Sequence, residues 1–462
     1  MSSRWPEPSA RASPRTGRRR FALAARIAFV ALALAALIAA GRAARAADDP
    51  TPAPASPPAP ARPVTAAPPA ETTLADVLRL ARDANPRAQL ARLGPALADA
   101  DRRTAAEFPN PSLAFGREKP HGGEQTLFTG DYLDDVSLDV PLPAPGLRGA
   151  RKRAADQARD AAQSGALARV NSLAADAGAA FVALLRSQQD VAVLTNAQSE
   201  LERLHEVVAA RRATGVASEY DLLRLEVEVA TWRSRLDEAR TDVLDKQAEL
   251  AALLGFACWR PVAVGELGSL ADGLRRFETG EFDLATHPAL VAATAQQASA
   301  ETKVEVAERE RWPAFSVDYD HNKTVDPYGA SQRFGLTVEV PIGNTRRGAL
   351  DHARVEADQA ALERRLTEAE LGTDVARSEA VAAERQQVLE RFDAQVGRRL
   401  PQLQDMAEVA YRLGNTPIVE LLDAARTRYE AQLDQATLQA ELAQARLDVA
   451  AARGALGALG VQ

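Results

Sequence analysis

The sequence predicts a mainly α-helical chain with a small β part, built as an internal two-fold repeat that contributes four strands per chain to a shared barrel. Three observations predict it. Only 5% of the 462 residues are aromatic while 26% are charged, a composition that suits long helices packed through small side chains with much wet surface. Landmarks of the first half recur about 200 residues later. Four short segments alternate apolar and polar residues with period two, the pattern of half-buried strands.

The chain opens with "GRRR" at Gly17 to Arg20, the apolar run "FALAARIAFVALALAALIAA", and small residues at Ala44 and Ala46. This order reads as an export signal over residues 1–46; a retained membrane anchor is the alternative, because the run is nearly long enough to span a bilayer. Removal of residues 1–46 takes away nine arginines and one glutamate and moves the formal charge from −7 to −15. An acidic chain without a basic stripe excludes nucleic acid as the main partner. Cys258 is the only cysteine, so no intrachain disulfide and no lipid anchor on an N-terminal cysteine are expected.

Residues 47–70 form a Pro/Ala-rich tether, because proline interrupts almost every second position. The first repeat covers residues 71–255. Helical periodicity starts at Leu74, breaks at Asn85-Pro86, and runs to about Ala106. Strands follow at "PSLAFGRE" and "DDVSLDVPL", with Leu113, Phe115, Val136, Leu138 and Val140 on one face. A proline-free run from Arg148 to Ala213 makes a helix about 100 Å long. After a "TGVAS" turn, Leu222, Leu225, Val229, Trp232, Leu236, Ala239 and Val243 step by three and four as a coiled-coil seam.

A connector at 256–281 leads to the second repeat, 282–457, followed by a tail at 458–462. There "THPALVAA" answers "ANPRAQLA", "RWPAFSVDYD" answers "EFPNPSLAFG", and "LTVEVPI" answers "SLDVPL". The expected second long helix is again about 65 residues, with shorter helices at Leu284 to Arg311 and Pro417 to Arg453. In each repeat the two short helices, stacked end to end, match the long one in length.

All four strands are apolar on one side and acidic or small on the other, and no helix is left over to cover the apolar side. Lipid can cover it, as in a transmembrane β-barrel with its apolar-out, polar-in dyad. Four strands cannot close a barrel, since membrane barrels use about eight or more. A symmetric homotrimer supplies twelve and continues the helices as a hollow helical barrel.

The paired "NP" and "HP" helix starts, "FPNPSL" and "WPAFSV", "DVPL" and "EVPI", and the tips "RRATGVASEYDLL" and "YRLGNTPIVELLDA" together resemble the TolC-type outer-membrane efflux family, from about Leu74 to Gly457. The resemblance implies a trimeric channel-tunnel: a twelve-stranded barrel in the outer membrane, an α-helical tunnel through the periplasm, and a mixed belt between them. It implies a periplasmic adaptor (membrane fusion protein) and an inner-membrane RND pump, or an ABC transporter, as partners, with outer-membrane lipid around the barrel. "PLPAPGLRGARKRA" resembles the heavy-metal-cation (Czc-type) branch, with Ala144 and Pro145 interrupting the match. Heavy-metal cations are therefore the preferred cargo, with drugs, other organic compounds or secreted polypeptides as alternatives.

The same resemblance places acids at Asp221, Glu420 and Asp423 around the periplasmic aperture and gives Tyr411 the part of tying tip helices together. Arg224 departs from the family's tyrosine-arginine-acid network. Thr214, Gly215, Val216, Ala217, Gly414, Asn415, Thr416 and Pro417 become the adaptor-contacting tips. The plainer reading of the acids is that they stabilise helix N-termini through the macrodipole. No nucleotide loop, Cys/His pair or Ser/His/Asp arrangement stands in a plausible setting, and the five histidines form no ligand cluster; no catalytic residue, metal site or cofactor is expected. A periplasmic coiled-coil adaptor remains the rival of another class, although an adaptor has one hairpin flanked by Gly-rich β-domains.

Overall fold

The computed structural model describes residues 68–118, 133–215, 217–280, 282–323, 329–413 and 416–458. The expected export signal, nearly all of the tether and residues 459–462 lie outside the described residues.

Strand β1 (Glu71–Thr72) leads into α1 (Leu74–Asp83) and α2 (Pro86–Ala106). Thr73 starts α1 with a capping box: its side chain accepts from the Asp76 amide while the Asp76 carboxylate accepts from the Thr73 amide. Strands β2 (Ser112–Glu118) and β3 (Leu133–Leu142) precede α3 (Leu147–Ala213). At 67 residues, α3 is about 100 Å long, as its unbroken periodicity requires. Helix α4 (Glu219–Leu254) runs beside it and ends at Gly255 in the left-handed region, φ 84°. The second half supplies α6 (Pro288–Arg309), β5 (Ala314–Lys323), β6 (Ala330–Glu339), α7 (Arg347–Phe392), α8 (Leu400–Arg412) and α9 (Ile418–Ala452).

Both halves fasten their helix starts in the same manner. Asn85 caps α2 and donates from Nδ2 to Leu253 O at 3.0 Å; His287 caps α6 and its Nε2 approaches Ala451 O at 3.5 Å. In each case the following proline packs on a left-handed glycine, Pro86 on Gly255 and Pro288 on Gly454.

The four long strands form one antiparallel sheet in the order β2-β3-β5-β6. Its register puts Leu113 opposite Leu138, Leu138 opposite Tyr319, and Tyr319 opposite Phe334, so one face carries an unbroken apolar row. That face is open, with Phe115 68%, Phe334 76% and Leu336 65% exposed. The other face carries Ser137, Asp139, Asp318 and Asp320. Gly335 leaves the space that the Asp318 carboxylate fills, where it accepts from Thr337 Oγ1 at 2.9 Å. Asp139 stands directly opposite Asp318, a like-charge pair tolerable only on a wet surface. Among the described residues, strands β2 and β6 each leave one edge unpaired.

Two larger apolar cores and a small cluster of Ala382, Ala445 and Val449 hold the helices among the described residues. One gathers Phe181 and Leu184 of α3, Leu250 and Leu254 of α4, and Leu447 of α9. The other, toward the tips, gathers Leu201, Leu225, Trp232, Leu236 and Leu421. The expected seam on α4 is present: Leu222, Leu225, Trp232 and Leu236 are buried, with Val229 and Ala239 packed beside them.

The structure departs from the sequence reading at the second long helix. The second long helix is not continuous, because α7 ends at Phe392, a π-helical turn occupies Asp393–Gly397, and α8 begins at Leu400. Pro401 explains this, since its ring lacks the N–H that would bond to Gly397 and clashes with the preceding turn. The connector has structure of its own. It contains β4 (Val262–Ala263), which pairs in parallel with β1, and α5 (Leu267–Leu274), which packs on α9. Trp259 Nε1 donates to Pro69 O at 3.2 Å, and the buried guanidinium of Arg446 on α9 bonds Glu278 at 2.9 Å and Gln386 at 2.8 Å. These contacts join the connector to both halves.

Candidate functional site

The two turns at the ends of the helical hairpins carry the sequence-predicted site residues. At the first, Thr214 Oγ1 donates to Arg211 O at 2.9 Å, and Gly215 adopts φ +73° with open space where a Cβ would stand. Glycine is needed there for the backbone angle, not for room. Ala217 packs against the tip core, and Arg212 pairs with Glu219. Ser218 then opens α4 with a capping box: Asp221 N donates to Ser218 Oγ at 3.1 Å and Ser218 N donates to the Asp221 carboxylate at 3.2 Å. Asp221 thus performs the helix-starting task that the macrodipole reading gives it.

The second turn differs. Pro417 occupies the N-cap of α9 and offers no side-chain cap, so Glu420, placed as Asp221 is in α4, has no serine to answer. Among the described residues, no hydrogen bond or ion pair engages the carboxylates of Glu420 or Asp423, and both are exposed. They line one cavity of about 490 Å³ together with Arg224, Glu228, Met406 and Arg426. Arg224 also donates from Nη1 to Tyr220 Oη at 3.4 Å. The hydroxyl oxygen of Thr416 is buried and has no partner among the described residues. Val216, Gly414 and Asn415 lie outside the described residues.

Tyr411 is elsewhere on the tip, half-buried, with the Arg211 guanidinium 4.7 Å above its ring, a cation–π contact between α8 and the end of α3. The structure therefore brings Glu420 and Asp423 together with Arg224 and leaves Asp221 and Tyr411 in separate settings.

Sequence reasoning missed a polar cluster within the tip core. Glu200 of α3 accepts from Arg428 Nη2 and from the Tyr429 hydroxyl, both on α9, and from Gln404 Nε2 of α8 at 3.1 Å. Burial, and then the hydrogen bond to Glu200, push the Tyr429 hydroxyl well above its ordinary pKa, so it stays a donor. Tyr429 meets Trp232 edge to face, with ring centroids 5.8 Å apart. The only sequence signal was a tyrosine and an arginine at seam-like positions of α9.

Among the described residues, no group of three or more His, Cys, Asp or Glu side chains is arranged to hold a metal ion. The sequence profile of the outer membrane efflux protein family matches residues 283–455. The cobalt-zinc-cadmium resistance protein CzcC of Cupriavidus metallidurans is 24% identical over 337 residues, which cover 71% of this chain and 77% of that protein. Among solved structures, the CmeC outer membrane channel of Campylobacter jejuni aligns with a TM-score of 0.69 at 15% identity, covering 83% of this chain and 85% of CmeC. The outer membrane protein VceC of Vibrio cholerae aligns with a TM-score of 0.67 at 17% identity, covering 82% of this chain and 96% of VceC. The likeness to these structures is one of fold, a mainly helical chain carrying a small antiparallel sheet. The family profile thus matches the second half of the chain, most of its length is similar to CzcC at 24% identity, and its fold is shared with these channels.

Proposed function

We propose that the protein is the outer-membrane channel-tunnel of a tripartite efflux system, a homotrimer that passively conducts cargo delivered by an inner-membrane pump through a periplasmic adaptor. The observation that carries this reading is the four-stranded sheet, which has one apolar face open, one acidic face, and an unpaired edge on either side. Three copies close such sheets edge to edge into a barrel of twelve strands, with the apolar faces in lipid and the aspartates lining water. The matching fastenings of α2 and α6 support an internal two-fold repeat, which would give the trimer its pseudo-sixfold wall of helices.

In this reading Thr214 to Ala217 and Gly414 to Pro417 face the adaptor, Glu420 and Asp423 line the aperture, Tyr411 joins neighbouring helices, and Asp221 contributes through its helix start. Heavy-metal cations are the proposed cargo, on the likeness to a protein named for cobalt, zinc and cadmium resistance. The duct does not need a ligand cluster for its cargo. A duct for organic compounds or polypeptides shares the same architecture and differs only in its pump. Growth of a deletion strain on a panel of metals, detergents and drugs tests the cargo: sensitivity to zinc, cobalt or cadmium alone supports metals, and sensitivity to detergents or drugs alone removes them.

A further inference from the structure

A cavity of about 440 Å³ lies where the sheet meets the helices. Pro141, Leu142 and Phe315 form one wall; they belong to the central β3-β5 pair rather than to the edge strands β2 and β6. Phe108 and Trp312, the residues before "PNPS" and "PAFS", stand in its lining and are 57% and 53% exposed. Leu142 and Phe315 continue the apolar face of the sheet at the same end.

Beneath the aromatic pair lie three arginines. The Arg148 guanidinium stacks 4.2 Å from the centre of the Phe108 ring and donates to Ala106 O. Arg151 and Arg346 converge on Glu310 at 2.7 and 3.1 Å. Arg346 is the one non-glycine residue with positive φ among the described residues, at 50°, whereas the residue before α3 in the first half is Gly146, at 80°. An arginine kept where the backbone favours glycine points to a use for its guanidinium beyond local folding.

An apolar wall, then aromatic rings, then arginines is the order of chemistry met from acyl chain to phosphate at a membrane surface. We propose that this cavity binds one glycerophospholipid of the leaflet nearest the helices, with an acyl chain along Leu142 and Phe315 and the phosphate at Arg151 and Arg346. The inference rests on the reading of the sheet as membrane-embedded. Arg148, Arg151 and Arg346 are matched in the same lining by Glu107, Glu310 and Glu339, so the site recognises the phosphate and does not require a lipid of net negative charge.

The test uses the full chain in dodecyl maltoside micelles, with acyl-brominated phosphatidylethanolamine, phosphatidylglycerol or brominated maltoside added and Trp312 fluorescence read against a Trp312→Phe blank. Both phospholipids should quench Trp312 saturably and alike, the maltoside only in proportion to its amount. Arg346→Gly combined with Arg151→Gln should raise half-saturation about tenfold; glycine suits the backbone at 346, so the variant keeps its fold. Phospholipid quenching that rises linearly and is unchanged in the variant overturns the site while leaving the membrane reading intact. A chain that fails to float with phosphatidylglycerol vesicles overturns both.

Discussion

Tyr429 and Glu200 are 229 residues apart and meet through a hydrogen bond from the tyrosine hydroxyl to the carboxylate. The bond ties α9 to α3 inside the tip core, and Arg428 and Gln404 complete the satisfaction of the same carboxylate. Such a network fixes one alignment of three helices, because any slip leaves polar groups without partners.

Tyr429→Phe should lower stability by about 1 kcal/mol and Glu200→Leu by about 1–3 kcal/mol, the latter removing the acceptor of Arg428 and leaving the tyrosine hydroxyl only its 3.4 Å bond to Asn196 O. Glu200 is about a third exposed, which keeps the loss below that of a fully buried pair. Chemical unfolding of each variant in detergent checks this; equal stability of Glu200→Leu and the parent would contradict it.

The left-handed glycines separate into two kinds. A Cβ at Gly255 or Gly454 would meet Pro86 Cδ at 2.6 Å or Pro288 Cδ at 2.7 Å, so Gly→Ala there should cost more than about 1–2 kcal/mol, combining backbone strain with overpacking. Gly215→Ala carries only the backbone cost, about 1 kcal/mol. Thermal unfolding of the three alanine variants should rank Gly215→Ala as the mildest.

His287 gives the start of α6 a pH dependence. Its Nδ1 accepts from the Ala289 amide at 3.2 Å, a task only an unprotonated Nδ1 can perform. Burial holds its pKa below the ordinary 6.5. The unfolded chain therefore binds the proton first, so this contribution is complete above about pH 6.5 and is lost as pH falls through the lower folded value. His287→Asn keeps a cap acceptor and should flatten the stability profile between pH 7 and 5; a profile identical to the parent's would contradict the assignment.

Among the described residues Glu420 and Asp423 make no hydrogen bond or ion pair, unlike Asp221, and threefold symmetry would multiply them into a ring of carboxylates at the narrow end of the duct. Planar-bilayer recordings should show cation preference and block by multivalent cations from the periplasmic side. Glu420→Gln with Asp423→Asn should weaken both while the assembly persists. Unchanged selectivity and block would return these acids to helix-start stabilisers.

Much of this architecture was legible because its signals are local. The seam residues Leu222, Trp232 and Leu236 repeat at helical spacing, and the apolar rows of β2, β3, β5 and β6 repeat at strand spacing. The pairing of β1 with β4 was not legible: each strand has two residues, and they meet across 191 positions, Glu71 with Val262. The π-helical turn was not anticipated: Pro401 stands within the run, but the turn lies eight residues earlier at Asp393, where the backbone absorbs the missing bond. At the tips the sequence displayed Asp221 and Glu420 as equivalents, and only the cap geometry of Ser218 against Pro417 separates them. The partner of Glu200 could not be read at all, since no pattern within one helix announces a contact with another.

The account depends on the four strands of one chain being a third of a barrel. Native mass measurement of the protein extracted from outer membranes into lipid nanodiscs tests this most directly. A stable species of three chains is the predicted result, and Leu336→Arg on the apolar face should deplete it while Thr337→Arg on the polar face should not. A stable single chain in the membrane would contradict the account, because its sheet would expose two unpaired edges to lipid.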